Sequence, residues 1–143
     1  MRQFPAAITM LTLTAAGLLV TGCGEQPATS GEVESAAVHI TSMEQFEAEV
    51  LQSDIPAAVD FYADWCPPCR KLSPVLAELA NDWEGRVKVV KINVDENRKI
   101  AMQYEVSSIP DVRFFKDGKQ VGNAVGFHDK GFWEKEFRRI HKM

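Results

Sequence analysis

Residues 59–71 read Val59-Asp60-Phe61-Tyr62-Ala63-Asp64-Trp65-Cys66-Pro67-Pro68-Cys69-Arg70-Lys71, which joins an apolar run to a Cys-x-x-Cys motif. The run Ala57–Tyr62 has the length of a strand that is buried on both faces of a sheet, although it contains one acid. Two prolines after the first cysteine suit the first turn of a helix. Apolar residues at helical spacing follow them: Leu72, Val75, Leu76 and Leu79. The segment therefore predicts a buried strand, a cysteine-bearing turn and a helix.

Short apolar strands alternate with helical patterns on both sides of this segment, over residues 37–143. This alternation is typical of an α/β domain with a central mixed sheet flanked by helices. Further strands are predicted at 37–40, 87–94, 112–116 and 120–125. A capping box at Thr41-Ser42-Met43-Glu44 predicts the first helix, and Ile100, Ala101 and Tyr104 mark a short one. The last helix should bury Phe132, Trp133, Phe137 and Ile140.

Asp117-Gly118 is a hairpin signal between the last two strands. Lys119 either belongs to the second strand or lengthens the loop, and the sequence leaves both possibilities open.

Composition excludes several classes of protein. The 143 residues include 16 Lys and Arg against 20 Asp and Glu, for a net charge of −4, which gives no basic footprint for nucleic acid. The length fits one domain with a short extra segment. Three cysteines cannot build a scaffold of several disulfides, and one of them is left over if the other two pair.

The N-terminal residues have the layout of a secretory signal. Arg2 is followed by an apolar run to Val20, which is shorter than the roughly 20 residues that a membrane-spanning helix needs. The run ends in Val20-Thr21-Gly22-Cys23, which resembles the bacterial lipoprotein signal, whose cysteine is lipidated and becomes the first residue. An ordinary signal peptide with an incidental Cys23 is the alternative.

We therefore expect three parts: a lipoprotein signal peptide at 1–22, a lipidated Cys23 with a flexible tether to residue 36, and a folded domain at 37–143. The tether is small, polar and acidic, so it cannot bury enough apolar surface to fold. Two or more acyl chains give stable membrane anchoring. The expected location is the bacterial cell envelope, lipid-anchored outside the cytoplasm, on the periplasmic or the outer face.

The Cys-x-x-Cys pair points to redox chemistry. Cys66 at a helix N-terminus faces unpaired amides and the positive end of the helix dipole, which stabilise a thiolate. Cys69 should be more buried and should resolve the mixed disulfide formed at Cys66. Two other interpretations remain: half of a zinc site, although the histidines are scattered singly at 39, 128 and 141, and a structural disulfide, although its loop is very short.

The quoted segment resembles the active-site segment of the thioredoxin family, and the resemblance extends over residues 37–143. Further matches follow in order: the strand Val87–Val94 with Lys91, the stretch Tyr104-Glu105-Val106-Ser107-Ser108-Ile109-Pro110, the hairpin Phe114-Phe115-Lys116-Asp117-Gly118-Lys119, and Val125-Gly126. The resemblance implies a thioredoxin fold. It also implies a redox-active disulfide between Cys66 and Cys69 as the working group, with no other cofactor and no metal.

The resemblance further implies individual roles. Cys66 would be the nucleophile and Cys69 the resolving thiol, while Asp60 would be a buried proton acceptor whose charge Lys91 tunes. The alternatives for these two are a strand-end acid satisfied by backbone amides and a solvated strand lysine.

Substrate binding would involve a cis Ile109-Pro110 bond that frees the Ile109 backbone, Trp65 as a docking surface, and Gly126 beside the groove. A trans turn at Pro110 and simple packing of Trp65 are the alternatives.

Two positions depart from the family pattern: Pro67 where a glycine is usual, and Asp111 where a threonine usually follows the cis-proline. Both should destabilise the Cys66 thiolate and make the protein more reducing, while Arg70 and Lys71 oppose this effect.

The sequence thus predicts a monomeric, membrane-tethered reductase of protein disulfides that receives electrons from a membrane thiol-transfer protein. A disulfide oxidase or isomerase is the first alternative, and a non-enzymatic binding or chaperone module is the second.

Overall fold

The computed structural model describes residues 35–143. The predicted signal peptide, Cys23 and the tether as far as residue 34 lie outside the described residues. Within the described part, five strands form one sheet in the order β1-β3-β2-β4-β5. Their bounds are β1 Val38–Ile40, β2 Ala57–Tyr62, β3 Lys88–Asn93, β4 Asp111–Lys116 and β5 Lys119–Val125.

The sheet is mixed, as predicted. Strand β3 pairs in parallel with both β1 and β2, whereas β4 pairs antiparallel with β2 and with β5. Strand β2 therefore lies at the centre with a paired neighbour on each side. Its nearly continuous apolar sequence follows from this position, because both of its faces are covered.

Four helical segments cover the two faces of the sheet. They are α1 Met43–Phe46, which continues as a π-helical turn over Glu47–Leu51, α2 Pro67–Asp82, α3 Arg98–Gln103 and α4 Lys130–Lys142. Helices α2 and α4 pack on one face, where Leu72, Leu76 and Phe137 meet Ala58. The α1 segment and α3 pack on the other face. The domain therefore has three layers, with the sheet between two layers of helices, as predicted.

The start of α1 differs from the predicted capping box by one residue. Ser42 is the N-cap and accepts a hydrogen bond from the Gln45 amide at 3.2 Å. Gln45 Oε1 in turn accepts from the Thr41 amide at 2.8 Å. The capping residues are thus Ser42 and Gln45, with Gln45 bonding the amide of the residue before the N-cap, rather than Thr41 and Glu44. Both pairs have the three-residue spacing of the motif, and the structure uses the pair in which the Gln45 side chain turns back towards the helix start.

The turn between β4 and β5 contains two residues. Asp117 and Gly118 both have positive φ, 49° and 72°, which matches the twist of the flanking strands. Lys119 pairs with Lys116 in the ladder, so the possibility that it lengthens the loop was wrong. At Gly118 a Cβ atom would lie 2.8 Å from the Leu51 carbonyl oxygen, so glycine is required there for space as well as for φ.

The inner face of α4 is narrower than predicted. Trp133, Phe137 and Ile140 are fully buried, but Phe132 is half-buried and stacks on the His128 ring at 4.0 Å.

Among residues 35–143, no helix combines the length and apolarity that crossing a bilayer requires.

Candidate active site

The two cysteines of the motif form a disulfide at the start of α2, just beyond the carboxyl end of β2. Cys66 is the N-cap of α2, and its Sγ accepts a hydrogen bond from the Cys69 amide at 3.3 Å. Pro67 and Pro68 occupy the first two helical positions and have no amide hydrogen to donate. Of the first three helical residues, only Cys69 can therefore stabilise negative charge on Cys66.

Both cysteines are almost inaccessible when oxidised. Cys66 is 2% exposed and Cys69 is 3% exposed, so the expectation that Cys69 is the more buried of the two was wrong for this state. Ala63 is buried with them, and Tyr62, Val94 and Ile109 pack against the pair. This apolar surround leaves little difference between the two cysteines in exposure.

The expected substrate groove has one edge beside Cys66, formed by Ile109, Pro110 and Gly126. The Ile109-Pro110 bond is cis, as predicted, and the Ile109 carbonyl oxygen is 3.8 Å from Cys66 Sγ. The Gly126 amide donates to the Pro110 carbonyl at 2.7 Å, which joins Gly126 to this edge. Gly126 has a φ of +90°, and no atom lies within 4 Å of where its Cβ would be, so the space above it is open.

Trp65 is exposed beside the disulfide. Its side chain is among the exposed apolar groups at 65% accessibility, and its indole Nε1 donates to Asp95 Oδ2 at 2.8 Å. Simple packing therefore does not account for this residue. Phe127, which is 48% exposed next to Gly126, is a further surface aromatic that the sequence reasoning did not select. Its position directly after the groove glycine was the available signal.

Asp60 is buried within the sheet. It is 1% exposed, and neither carboxyl oxygen has a hydrogen-bond partner among the described residues, which removes the alternative of an acid satisfied by backbone amides. Side chains alternate along β2, so Asp60 shares the Ala58 face, towards α2. Burial raises the pKa of Asp60 from the usual 3.8 to about 7; Lys91 opposes this rise and Asp111 adds to it.

Lys91 is the direct neighbour of Asp60 in the parallel β2–β3 register. Its Nζ lies 2.6 Å from Ser73 Oγ on α2 and 4.7 Å from the centre of the Tyr62 ring. These contacts make it a fixed, half-buried charge rather than a solvated strand lysine. Sequence patterns did not identify Ser73, because nothing local marks a serine in a helix as the partner of a lysine on a neighbouring strand.

Asp111 does not present a free negative charge to Cys66, contrary to the expectation. It is buried at the start of β4, opposite Phe61, and Oδ2 accepts from Arg113 Nε at 3.0 Å and Nη2 at 2.8 Å. Asp60 and Phe61 are consecutive in β2, so Asp111 is on the sheet face opposite to Asp60. It is ion-paired with Arg113, and its remaining electrostatic effect is the small contribution to the raised pKa of Asp60.

The described residues 35–143 contain no group of three or more His, Cys, Asp or Glu side chains that could hold a metal ion. The site consists of a disulfide, an unpartnered buried carboxyl group and a lysine fixed near it. This set can exchange two electrons through the sulfur atoms and move one proton through the carboxyl group.

Comparison with known proteins gives consistent matches. The family model "Thioredoxin" matches residues 37–136. The chain is 52% identical over 85 residues to the thioredoxin of Rickettsia bellii, covering 59% of this chain and 81% of that protein. It is 50% identical over 92 residues to thioredoxin 1 of Nostoc sp., covering 64% and 85% respectively. The crystal structure of Malassezia sympodialis thioredoxin superposes with a TM-score of 0.69 at 28% identity, covering 75% of this chain and 92% of that one.

We predict that Asp60 makes stability fall with rising pH. Because folding raises the pKa of Asp60 to about 7, the folded state keeps a proton that the unfolded chain releases above about pH 4. Stability from this group is full below pH 4 and is lost as the pH rises to about 7. Urea unfolding of the wild type and Asp60→Asn at pH 4 and pH 8 should show the variant gaining up to roughly 4 kcal/mol relative to the wild type across this range.

The exposed acid Glu84 provides the control, since Glu84→Gln should show no such gain. A wild-type to Asp60→Asn difference that is the same at both pH values would contradict the burial argument.

Proposed function

Since this chain belongs to the thioredoxin family and is a thiol–disulfide oxidoreductase that works through a redox-active disulfide, we propose that it acts as a reductase of protein disulfides. The observation that carries this proposal is the position of the Cys66–Cys69 disulfide. It lies at the N-terminus of α2 and next to the cis-Pro110 edge, where an extended substrate segment can approach a sulfur atom.

The proposed cycle begins with both cysteines reduced. The Cys66 thiolate attacks one sulfur of the substrate disulfide, and the other substrate sulfur leaves as a thiolate that takes up a proton. Cys69, once deprotonated, attacks Cys66 Sγ in the mixed disulfide and displaces the second substrate sulfur. Two electrons pass to the substrate, and the Cys66–Cys69 disulfide is the oxidised product. A dithiol donor must then reduce it by the same exchange.

In this cycle Asp60 accepts the proton of Cys69. A carboxyl group with a pKa of about 7 is half ionised near neutral pH and can take up and release a proton there. Its position on the α2 side of β2 and its lack of any other partner support this role. Lys91, its register neighbour, tunes its charge.

The start of α2 supports one direction of electron flow. Two prolines leave the Cys69 amide as the single donor to Cys66 Sγ within the first turn of α2. A thiolate with few donors is less stable relative to the disulfide, and a stable disulfide makes the reduced pair a stronger reductant. This supports reduction of substrates rather than donation of disulfides.

The reductase should fail when its nucleophile is removed. In an assay of insulin disulfide reduction with dithiothreitol as the electron source, Cys66→Ser should slow precipitation of the insulin B chain to the rate of dithiothreitol alone, because no thiolate remains at the attacking position.

Cys69→Ser is the matched control, because it keeps the nucleophile and loses the resolving thiol. Without dithiothreitol it should accumulate a mixed disulfide with insulin on Cys66, visible as an adduct by mass spectrometry, whereas Cys66→Ser should form none. Equal activity of wild type and Cys66→Ser would show instead that the pair is idle and that the domain is a binding module.

We also propose that the domain works outside the cytoplasm, anchored to a membrane through lipid on Cys23 and reduced by a thiol-transfer protein of that membrane. The support is the sequence of residues 1–36: a short apolar signal, Val20-Thr21-Gly22-Cys23, and a polar tether. A flexible chain of about 13 residues has a root-mean-square reach of roughly 20 Å, so the proposed anchor predicts an active site close to the bilayer.

Substitution of Cys23 tests the anchor. In bacteria labelled with palmitate, the wild type should carry label and sediment with membranes, and Cys23→Ser should lose both properties because it lacks the lipidated thiol. Cys66→Ser should behave as the wild type. Unlabelled wild type in the soluble fraction would indicate an ordinary signal peptide with an incidental cysteine.

A further inference from the structure

Ser73 lies one helical turn after Cys69 on α2, so the two residues share a helix face. Both line a surface cavity of about 340 Å³ that also includes Tyr62 and Lys91. This cavity connects the resolving cysteine with Lys91, the register neighbour of Asp60 in β3.

The Lys91 ammonium group has two partners at this cavity. Its Nζ donates to Ser73 Oγ at 2.6 Å and lies 4.7 Å from the centre of the Tyr62 ring. The Ser73 hydroxyl oxygen accepts a hydrogen bond from the ammonium group, and the face of the Tyr62 ring attracts its positive charge. Together these contacts fix the end of a long side chain that could otherwise sample many rotamers.

The buried Asp60 carboxyl group lacks the partner that its nearest cation could provide. Neighbouring strands lie about 4.8 Å apart, so a lysine directly beside an aspartate can reach its carboxylate. Yet neither Asp60 oxygen accepts a hydrogen bond, and no ion pair within 4.0 Å joins Asp60 to Lys91 in the described part of the chain. A buried carboxylate is strongly stabilised by pairing, so the separation of the two groups requires a cause.

We propose that Ser73 is a positioning residue that holds the Lys91 ammonium group away from the Asp60 carboxyl group, and that this separation keeps Asp60 available as a proton acceptor. The proposal deepens the function given above and rests on it for the importance of Asp60. A direct Lys91–Asp60 ion pair would hold the carboxyl group ionised and hydrogen-bonded, and would leave it a weaker base for the proton of Cys69.

Other groups around Asp60 do not supply this control. On β4, Asp111 is paired with Arg113 and lies on the opposite face of the sheet. On α2, Cys69 is in the disulfide. Helix α4 contributes apolar side chains to the Asp60 face, Trp133 and Phe137 among them. Lys91 is thus the charge whose distance from Asp60 can change if its hydrogen bond is lost, and Ser73 is the uncharged side chain that fixes it.

The test is a titration of the Asp60 carboxyl carbon by 13C NMR in the oxidised full-length protein. Ser73→Ala removes the acceptor of the ammonium group, so Lys91 should turn to Asp60. The titration midpoint of Asp60 should then fall by about half a pH unit or more, since an opposite charge that comes within about 4–6 Å lowers the pKa of a carboxyl group. Ser73→Thr keeps a hydroxyl group and should titrate within about 0.2 units of the wild type.

A double-variant cycle with Lys91→Met separates this role from a general structural one. If Ser73 acts through Lys91, Lys91→Met and Ser73→Ala/Lys91→Met should have the same Asp60 midpoint. A midpoint that stays constant or rises in Ser73→Ala would overturn the proposal, as would a fall that persists in the Lys91→Met background.

The titration also distinguishes failure of this proposal from failure of the function, because it detects Asp60 ionisation without any turnover. If Asp60→Asn reduced insulin as fast as the wild type at every pH, the proton-acceptor role would be wrong. The Asp60 midpoint in Ser73→Ala would then still decide whether Ser73 positions Lys91.

Discussion

The whole site depends on one constraint: Cys66 must lie just beyond the end of a buried central strand, four residues after Tyr62, and must also be the N-cap of α2. Strand β2 is fixed by β3 on one side and by β4 on the other, so the point where it ends is fixed as well. The same register places Asp60 and Lys91 side by side beneath α2, and β4 begins directly after the cis-Pro110 bond that edges the groove. The pairing of β2 with its two neighbours therefore positions the disulfide, the proton acceptor and the edge of the substrate groove.

The protein retains an unfavourable group at this centre. Asp60 has no hydrogen-bond partner among the described residues, and burial of its charged form is costly. The apolar core on that face, where Leu72, Leu76 and Phe137 are fully buried, offsets this cost through the apolar surface that it removes from water. Burial also raises the pKa of the Asp60 carboxyl group to about 7. The cost in stability and the capacity to exchange a proton near pH 7 therefore have the same origin.

Local sequence patterns predicted the elements well, since a buried strand, a helical stripe and an Asp-Gly turn each leave a signal within a few residues. The cis-proline and the pairing of the cysteines came from resemblance to a family. Contacts between distant side chains were not predictable in this way. Examples are Lys91 with Ser73 and Trp65 with Asp95, which depend on which side chains the fold brings together. Asp111 shows the same limit, because its balancing by Arg113 depends on side-chain direction rather than on composition.

The equilibrium reduction potential of the Cys66–Cys69 pair decides whether the pair reduces protein disulfides. Redox titration of the purified protein against glutathione or dithiothreitol buffers, with the thiols trapped and counted by mass, gives that value. We predict a potential at or below about −270 mV, the value typical of thioredoxins, because few donors stabilise the Cys66 thiolate. A potential near about −120 mV, as in strong disulfide donors, would contradict it and would assign the pair to oxidation.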